Sequence, residues 1–240
     1  DSYSEICKFV SMAEKKLVFL NPQNLTSWVV RFLWLHIFIS AFTVVVNALE
    51  FDFLKDIESK SFQTEEELII AGELIEQLQV VATILFLITF VLGGIVILKW
   101  IYRSNTNAGF LGAKDMKFSP GWSVGWFFIP VANLWKPFQA MQEIYNASLN
   151  PVNWKDLEKP KIVQQWWGLW IISNSLTQFN NNKAEKAETI SELINLNLIY
   201  QAGEVLWIIL CVTFLSLVKK ISKSQLENFS LQESENHFEN

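Results

Sequence analysis

The residue types able to do chemistry are few, and most lie in apolar surroundings. Glu204 is a carboxylate inside the last long apolar run, residues 198–217. A carboxylate at the centre of a spanning helix costs about 2.5–3.5 kcal/mol on insertion scales, so it must be paired, protonated or wet. It reads either as a proton or cation site or as a structural hydrogen-bonding group near the headgroups. Asn133, Gln164, Gln165 and Asn174 are amides in otherwise apolar stretches. They could line a polar pocket, or simply bond between helices at about 0.6 kcal/mol each. His36 is the one histidine in an apolar run, and the other, His237, lies near the C-terminus. A b-type haem in a helical bundle commonly takes two axial ligands, so a structural histidine is expected in place of a haem site.

A second group is aromatic. Trp122, Trp126, Phe127, Phe128, Trp135, Trp166, Trp167 and Trp170 crowd two short stretches. Such a group forms an interfacial belt or, more sharply, a cage for a lipid or quinone ring. Pro120, Gly121, Gly125, Pro130 and Pro137 are interspersed with the first set. They are expected to set backbone shape and to take no part in chemistry. No HExxH, GxSxG, phosphate-binding or dinucleotide-binding pattern occurs, and no CxxC. No catalytic residue, cofactor or metal site is expected. Cys7 and Cys211 are too differently placed to suggest a disulfide.

The elements that must carry these residues are helices built for a membrane. The 240 residues are 51% hydrophobic and 18% charged, with 11 Trp and 19 Phe; an ordinary soluble domain is about a quarter charged. The net charge of -5 gives no basic footprint for nucleic acid. Residues 32–49, 80–98, 163–179 and 198–217 are runs of about the length needed to cross a hydrocarbon core. The third is short and polar. Residues 1–27 form an arm whose Ile6, Phe9, Val10, Ala13, Leu17 and Leu20 recur at helical spacing, as in a helix lying on a membrane surface. No apolar leader core is evident there, so insertion is expected to rely on the first span. Asn24 or Thr26 would cap that first helix, and Thr64 with Glu67 reads as a capping box. Residues 139–147 suit a short amphipathic helix. Residues 224–240 are polar and acidic and are expected to be disordered.

Residues 118–138 resist placement in this scheme. They are apolar enough to enter a bilayer, with no charge from Phe118 to Trp135, yet three prolines interrupt them. Lysine and arginine decide how they lie. If the segment does not cross, four precede Phe32, eight lie from Lys99 to Lys161 and three follow Leu217, putting fifteen of nineteen on one side. Residues 50–76, with nine acidic and two basic members, then lie opposite. That distribution places both termini in the cytoplasm of a plasma-membrane protein. The segment is expected to be re-entrant or interfacial, entering and leaving on the cytoplasmic side, with its broken backbone covered by protein or water. The expected fold is an all-α membrane domain over residues 28–223, with four spans and this broken aromatic segment.

The run from Phe118-Ser-Pro-Gly-Trp through Ile129-Pro-Val-Ala-Asn-Leu-Trp-Lys-Pro-Phe138 to Gln139-Ala-Met-Gln-Glu-Ile144 resembles the signature of the bacterial membrane family known as domain of unknown function 4328. Lys99-Trp-Ile-Tyr-Arg-Ser-Asn105, Asn107-Ala108, Leu111-Gly112 and Trp166-Trp-Gly-Leu-Trp170 with Ser173-Asn174 carry the same resemblance. It covers roughly residues 25–223 and implies several spans with no assigned activity. The expected function is a non-enzymatic subunit or scaffold in the bilayer, binding lipid, other membrane proteins or its own copies. A small channel or transporter element lined by the broken segment and Glu204 is the alternative, and an intramembrane enzyme acting on lipid the remaining one.

Overall fold

Long apolar runs with few internal breakers fold into helices far longer than the runs themselves. A computed structural model describes residues 18–62 and 64–238. Among them are six helices and no strand: α1 (Gln23–Ser59), α2 (Glu65–Phe110), α3 (Pro120–Gly125), α4 (Lys136–Leu149), α5 (Lys161–Ala184) and α6 (Ile190–Phe238). Three 3₁₀ turns, Trp126–Phe128, Ala132–Leu134 and Trp154–Asp156, join them.

Three of these, α1, α2 and α6, are long and apolar enough to cross a membrane, and they mark the chain as a membrane protein. α5 contains the expected third span but, with Gln164, Gln165, Ser173 and Asn174, is not among them. The Thr64 side chain accepts the Glu67 N–H at 3.2 Å, and three glutamates follow it in the first turn, where the helix dipole favours them. The start of α1 departs from expectation. Asn24 and Thr26 lie inside the helix, and Asn21 Oδ1 accepts the Gln23 N–H at 2.9 Å instead.

The arm is only partly described. Residues 1–17, which hold most of its expected amphipathic pattern and Cys7, lie outside the described residues. Val18 to Pro22 are not helical, and residues 23–27 already belong to α1. Leu20 is fastened by its backbone: Asn107 Nδ2 donates to Leu20 O at 2.9 Å, and Leu20 N donates to Asn107 Oδ1 at 3.1 Å.

α1 packs against both α2 and α6, and α6 also packs against α5. At Gly93 the first two helices approach so closely that a Cβ would sit 3.3 Å from Phe32 Cβ. The buried core gathers at the lysine-rich end, where Val29, Trp100, Ile101, Met141, Ile144, Val163, Phe214, Leu217 and Ile221 meet. Most of the apolar surface of α2, including Ile84, Leu87, Ile88, Val91 and Leu92, faces outward.

The expectation of a disordered tail over 224–240 does not hold for residues 224–238, and residues 239–240 lie outside the described residues. α6 continues unbroken to Phe238 because its polar residues are spoken for. Gln225 is fully buried; its Nε2 donates to Ser104 O at 2.8 Å and Ser148 Oγ at 2.9 Å, and its Oε1 accepts from Asn107 at 3.3 Å. Asn228 donates to Ser148 O, Gln232 to Leu111 O, and Phe229 stacks on Phe19 at 4.1 Å. A polar composition therefore does not leave this segment unpaired; its amides satisfy the carbonyls of α2 and α4.

Candidate functional site

The broken segment is built by local turns. Ser119 caps α3, accepting the Trp122 N–H at 3.4 Å, and Pro120 takes the first turn, where its missing donor costs nothing. Ser123 Oγ returns to Pro120 O at 2.7 Å. At Val131 the chain reverses with φ 67° and ψ -55°, and Ala132 N donates to Pro130 O at 2.8 Å. This is a γ-turn of the rare positive-φ kind, centred on a β-branched residue that ordinarily avoids it. Strain of about 1–3 kcal/mol is held there. Asn133 N then donates to Ile129 O at 2.9 Å, and Trp167 Nε1 to Leu134 O at 2.9 Å, pinning the turn to α5.

The side chain of Asn133 makes no interhelical bond through its oxygen. Its Oδ1 is buried with no hydrogen-bond partner among the described residues, and its backbone N–H makes the closure. The expected amide pocket is not assembled either. Gln164, Gln165 and Asn174 are exposed along α5, and Asn174 Nδ2 bonds back to Trp170 O at 2.7 Å.

The tryptophans divide into two sets. Trp166 and Trp167 are core residues: Trp166 stacks on Phe214 at 5.1 Å, and Trp167 on Trp170 at 4.5 Å. Trp122 and Trp135 stay exposed, together with Phe128 (69%), Val131 (67%) and Leu134. Trp126 lies between, 4.8 Å from Trp122 and 5.4 Å beneath the Lys136 ammonium. The aromatic residues thus make a packed inner layer and an outward apolar crest. Gly121 has open space around it, whereas Gly125 closes against Trp122, and Pro137 is buried in the first turn of α4.

Behind the crest, Glu143 of α4 accepts the backbone N–H groups of Lys117 at 3.0 Å and Phe118 at 3.2 Å. Burial pushes its carboxyl above the usual range, opposed by those two N–H groups and by Lys117 and Lys155. Lys155 reaches across to Asp115 at 3.1 Å on the exposed side. The loops on either side of the broken segment are therefore fastened to one another.

Glu204 lies elsewhere. It lines a cleft of about 510 Å³ between α1, α2 and α6, and no residue of 118–138 shares that lining. α2 and α6 meet at the lysine-rich end, where Trp100 Nε1 donates to Ser222 Oγ at 3.1 Å. Towards the acidic end the cleft separates them, with Gln79, Thr83 and Phe86 on one wall and Asn197, Tyr200 and Glu204 on the other. Phe86, which lines the cleft, belongs to an aromatic cluster with His36, Phe90 and Trp207, ring centroids 5.5–6.5 Å apart.

A ladder of amides fixes the cleft's mouth. Asn197 Nδ2 donates to Asn47 O at 2.9 Å and to Glu50 Oε2 at 2.8 Å, and Gln201 Nε2 donates to Asn197 Oδ1 at 2.7 Å. Ser40, Asn47, Glu50, Asn197 and Gln201 were not singled out from the sequence. Their spacing was the available signal: positions 36, 40, 43, 47 and 50 lie on one face of α1, and 197, 201 and 204 on one face of α6. Among the described residues no three His, Cys, Asp or Glu side chains converge as metal ligands, and Cys211 is buried and unpaired.

No curated protein and no solved structure matches the chain. Residues 71–223 match the family described as Domain of unknown function (DUF4328), which takes in most of α2 and α6, all of α3, α4 and α5, and the crest between them, but not α1. With more than half of its length matched, the chain belongs to the DUF4328 family.

Proposed function

We propose that the protein is a non-enzymatic subunit or scaffold of a cell membrane, presenting the crest of residues 122–135 to a membrane partner. In this reading α5 serves as a fourth span beside α1, α2 and α6, and both termini are cytoplasmic. The crest dips into the cytoplasmic leaflet and returns. The observation that carries it is the exposure of Trp122, Phe128, Val131, Leu134 and Trp135 on backbone that is itself fully organised. Apolar side chains on a strained, fastened turn cost energy that a loose interfacial loop would avoid, and large exposed apolar patches mark interaction surfaces. The separation of the broken segment from Glu204 speaks against a single conduction path lined by both.

A photocrosslinking amino acid at position 128 or 131 tests this in intact membranes. Discrete protein adducts are expected from both positions, or a crosslinked homodimer. The same probe at position 87, on the outward face of α2, should give lipid adducts. Lipid adducts alone from all three positions, with a partner-free monomer after mild extraction, would overturn the proposal.

A further inference from the structure

We infer that the groove beside the lysine-rich end of α2 is a binding site for an anionic phospholipid of the surrounding bilayer. Lys99, Tyr102 and Arg103 line one end of an open groove of about 470 Å³. Its other walls are Leu20, Leu25, Ile95, Leu98 and Val124, and no carboxylate lines it. Neither Lys99 nor Arg103 makes an ion pair among the described residues. Arg103 Nη1 donates to Asn21 O at 3.3 Å, a neutral acceptor that orients the guanidinium and leaves its charge in place.

The depth of these groups matches a lipid. The uncharged run of α2 ends at Leu98. At 1.5 Å per residue, Lys99 to Arg103 stand about 1.5–7.5 Å beyond it along the helix. The polar layer of a bilayer adds about 5–8 Å to each side of the hydrocarbon core, so this is headgroup depth. Lys99 and Arg103, four residues apart, are neighbours on the helix surface and can hold one phosphate between them. Ile95 and Leu98 continue the same face into the apolar run, where an acyl chain would lie. A second observation separates this groove from cations that merely end a span: its far wall is fixed. The Asn107 amide bonds both the N–H and the carbonyl of Leu20, at 3.1 and 2.9 Å, and Leu25 and Val124 pack against the buried core. Walls set in advance lower the cost of ordering a bound chain, and basic pockets beside spanning helices take anionic headgroups. The inference needs α2 to span the bilayer but does not need the crest to bind a partner.

Native mass spectrometry of the full chain in detergent tests it, with dioleoylphosphatidylglycerol and dioleoylphosphatidylcholine offered in equal amounts. One phosphatidylglycerol per chain is expected to be retained, with at least fivefold preference over phosphatidylcholine. The double variant Lys99→Gln with Arg103→Gln should bring its occupancy down to that of phosphatidylcholine. Ile95→Trp, at an exposed position, fills the groove while keeping both charges and should lower occupancy at least fivefold. Lys219→Gln with Lys220→Gln removes two exposed charges of α6 outside the groove and should leave occupancy unchanged. Variants are to be compared at unchanged elution volume and melting temperature, and either groove variant suffices if the other fails to fold. Equal retention of the two lipids, wild-type occupancy in the folded groove variants, or an equal loss in the α6 variant would overturn the inference. So would displacement of the lipid by an equal concentration of glycerol 3-phosphate, which would make the headgroup alone the ligand. Lipid retained only by a chain lacking residues 1–17 would assign the groove to that segment and would likewise overturn it.

Discussion

At the scale of single residues, polar groups in this protein are organised by what they satisfy. Glu143 is the clearest case outside the spanning helices. Its folded carboxyl lies above the ordinary value of 4.5 because burial outweighs its two N–H donors and the nearby lysines. A group that holds its proton more tightly in the folded state stabilises most at low pH. That contribution is present below the ordinary value and is lost as pH rises through the raised one. The melting temperature of the wild type should therefore fall relative to Glu143→Gln as pH rises from about 4 to 8. A relative rise would show that the N–H bonds dominate instead. Glu143→Ala, which strands the Lys117 and Phe118 donors, should cost about 1–3 kcal/mol at any pH in that range.

Legibility at this scale was uneven. The Thr64 cap followed from residue type and spacing alone, because a cap is local. The role of Asn133 did not, since a buried amide's partner depends on backbone turns that the sequence does not fix. Glu204 was singled out for its cost in hydrocarbon, but Ser40 and Glu50 join it only through helix packing.

At the scale of elements, the apolar runs marked the helices but not their ends. The last turns of α2 and α6 are polar and lie beyond the apolar runs, yet the amides of Asn105, Asn107, Gln225, Asn228 and Gln232 each donate to a backbone carbonyl elsewhere in the chain. Tertiary pairing overrode composition there. Aromatic stacking of Phe229 on Phe19 and the burial of Ile221 at the same end add apolar contact. Truncation after Lys223 should therefore lower the melting temperature markedly. Loss of Gln225 alone leaves the Ser104 carbonyl and the Ser148 and Asn107 side chains short of a partner, at about 1–3 kcal/mol. For a chain of this size that is roughly 2–12 °C. An unchanged melting curve for the truncated chain would mean that the last turns of α6 contribute nothing to the fold.

At the scale of the molecule, α1, α2 and α6 form the framework: α2 and α6 meet at the lysine-rich end and the cleft separates them towards the acidic one, while α1 packs against both. The crest and the cleft sit in different parts of that framework. Charge distribution gives an expectation for sidedness from the sequence alone, because the positive-inside rule reads sequence directly. The separation of crest from cleft was not legible: both are polar or broken stretches among apolar ones, and only packing tells them apart. α5 is the element on which the two-sided arrangement turns, since its apolar run is interrupted by amides and hydroxyls that bond within their own helix, as Asn174 and Thr177 do.

The most direct measurement is labelling of single cysteines placed at Lys60, Asp115 and Asn153, in a chain whose Cys7 and Cys211 are replaced, using an impermeant maleimide on intact cells and on inverted vesicles. If the crest enters and leaves one leaflet, positions 115 and 153 react from the cytoplasmic side and position 60 from the outside. Reaction of 115 and 153 from opposite sides would contradict that geometry, and with it the crest as a cytoplasmic-leaflet docking surface.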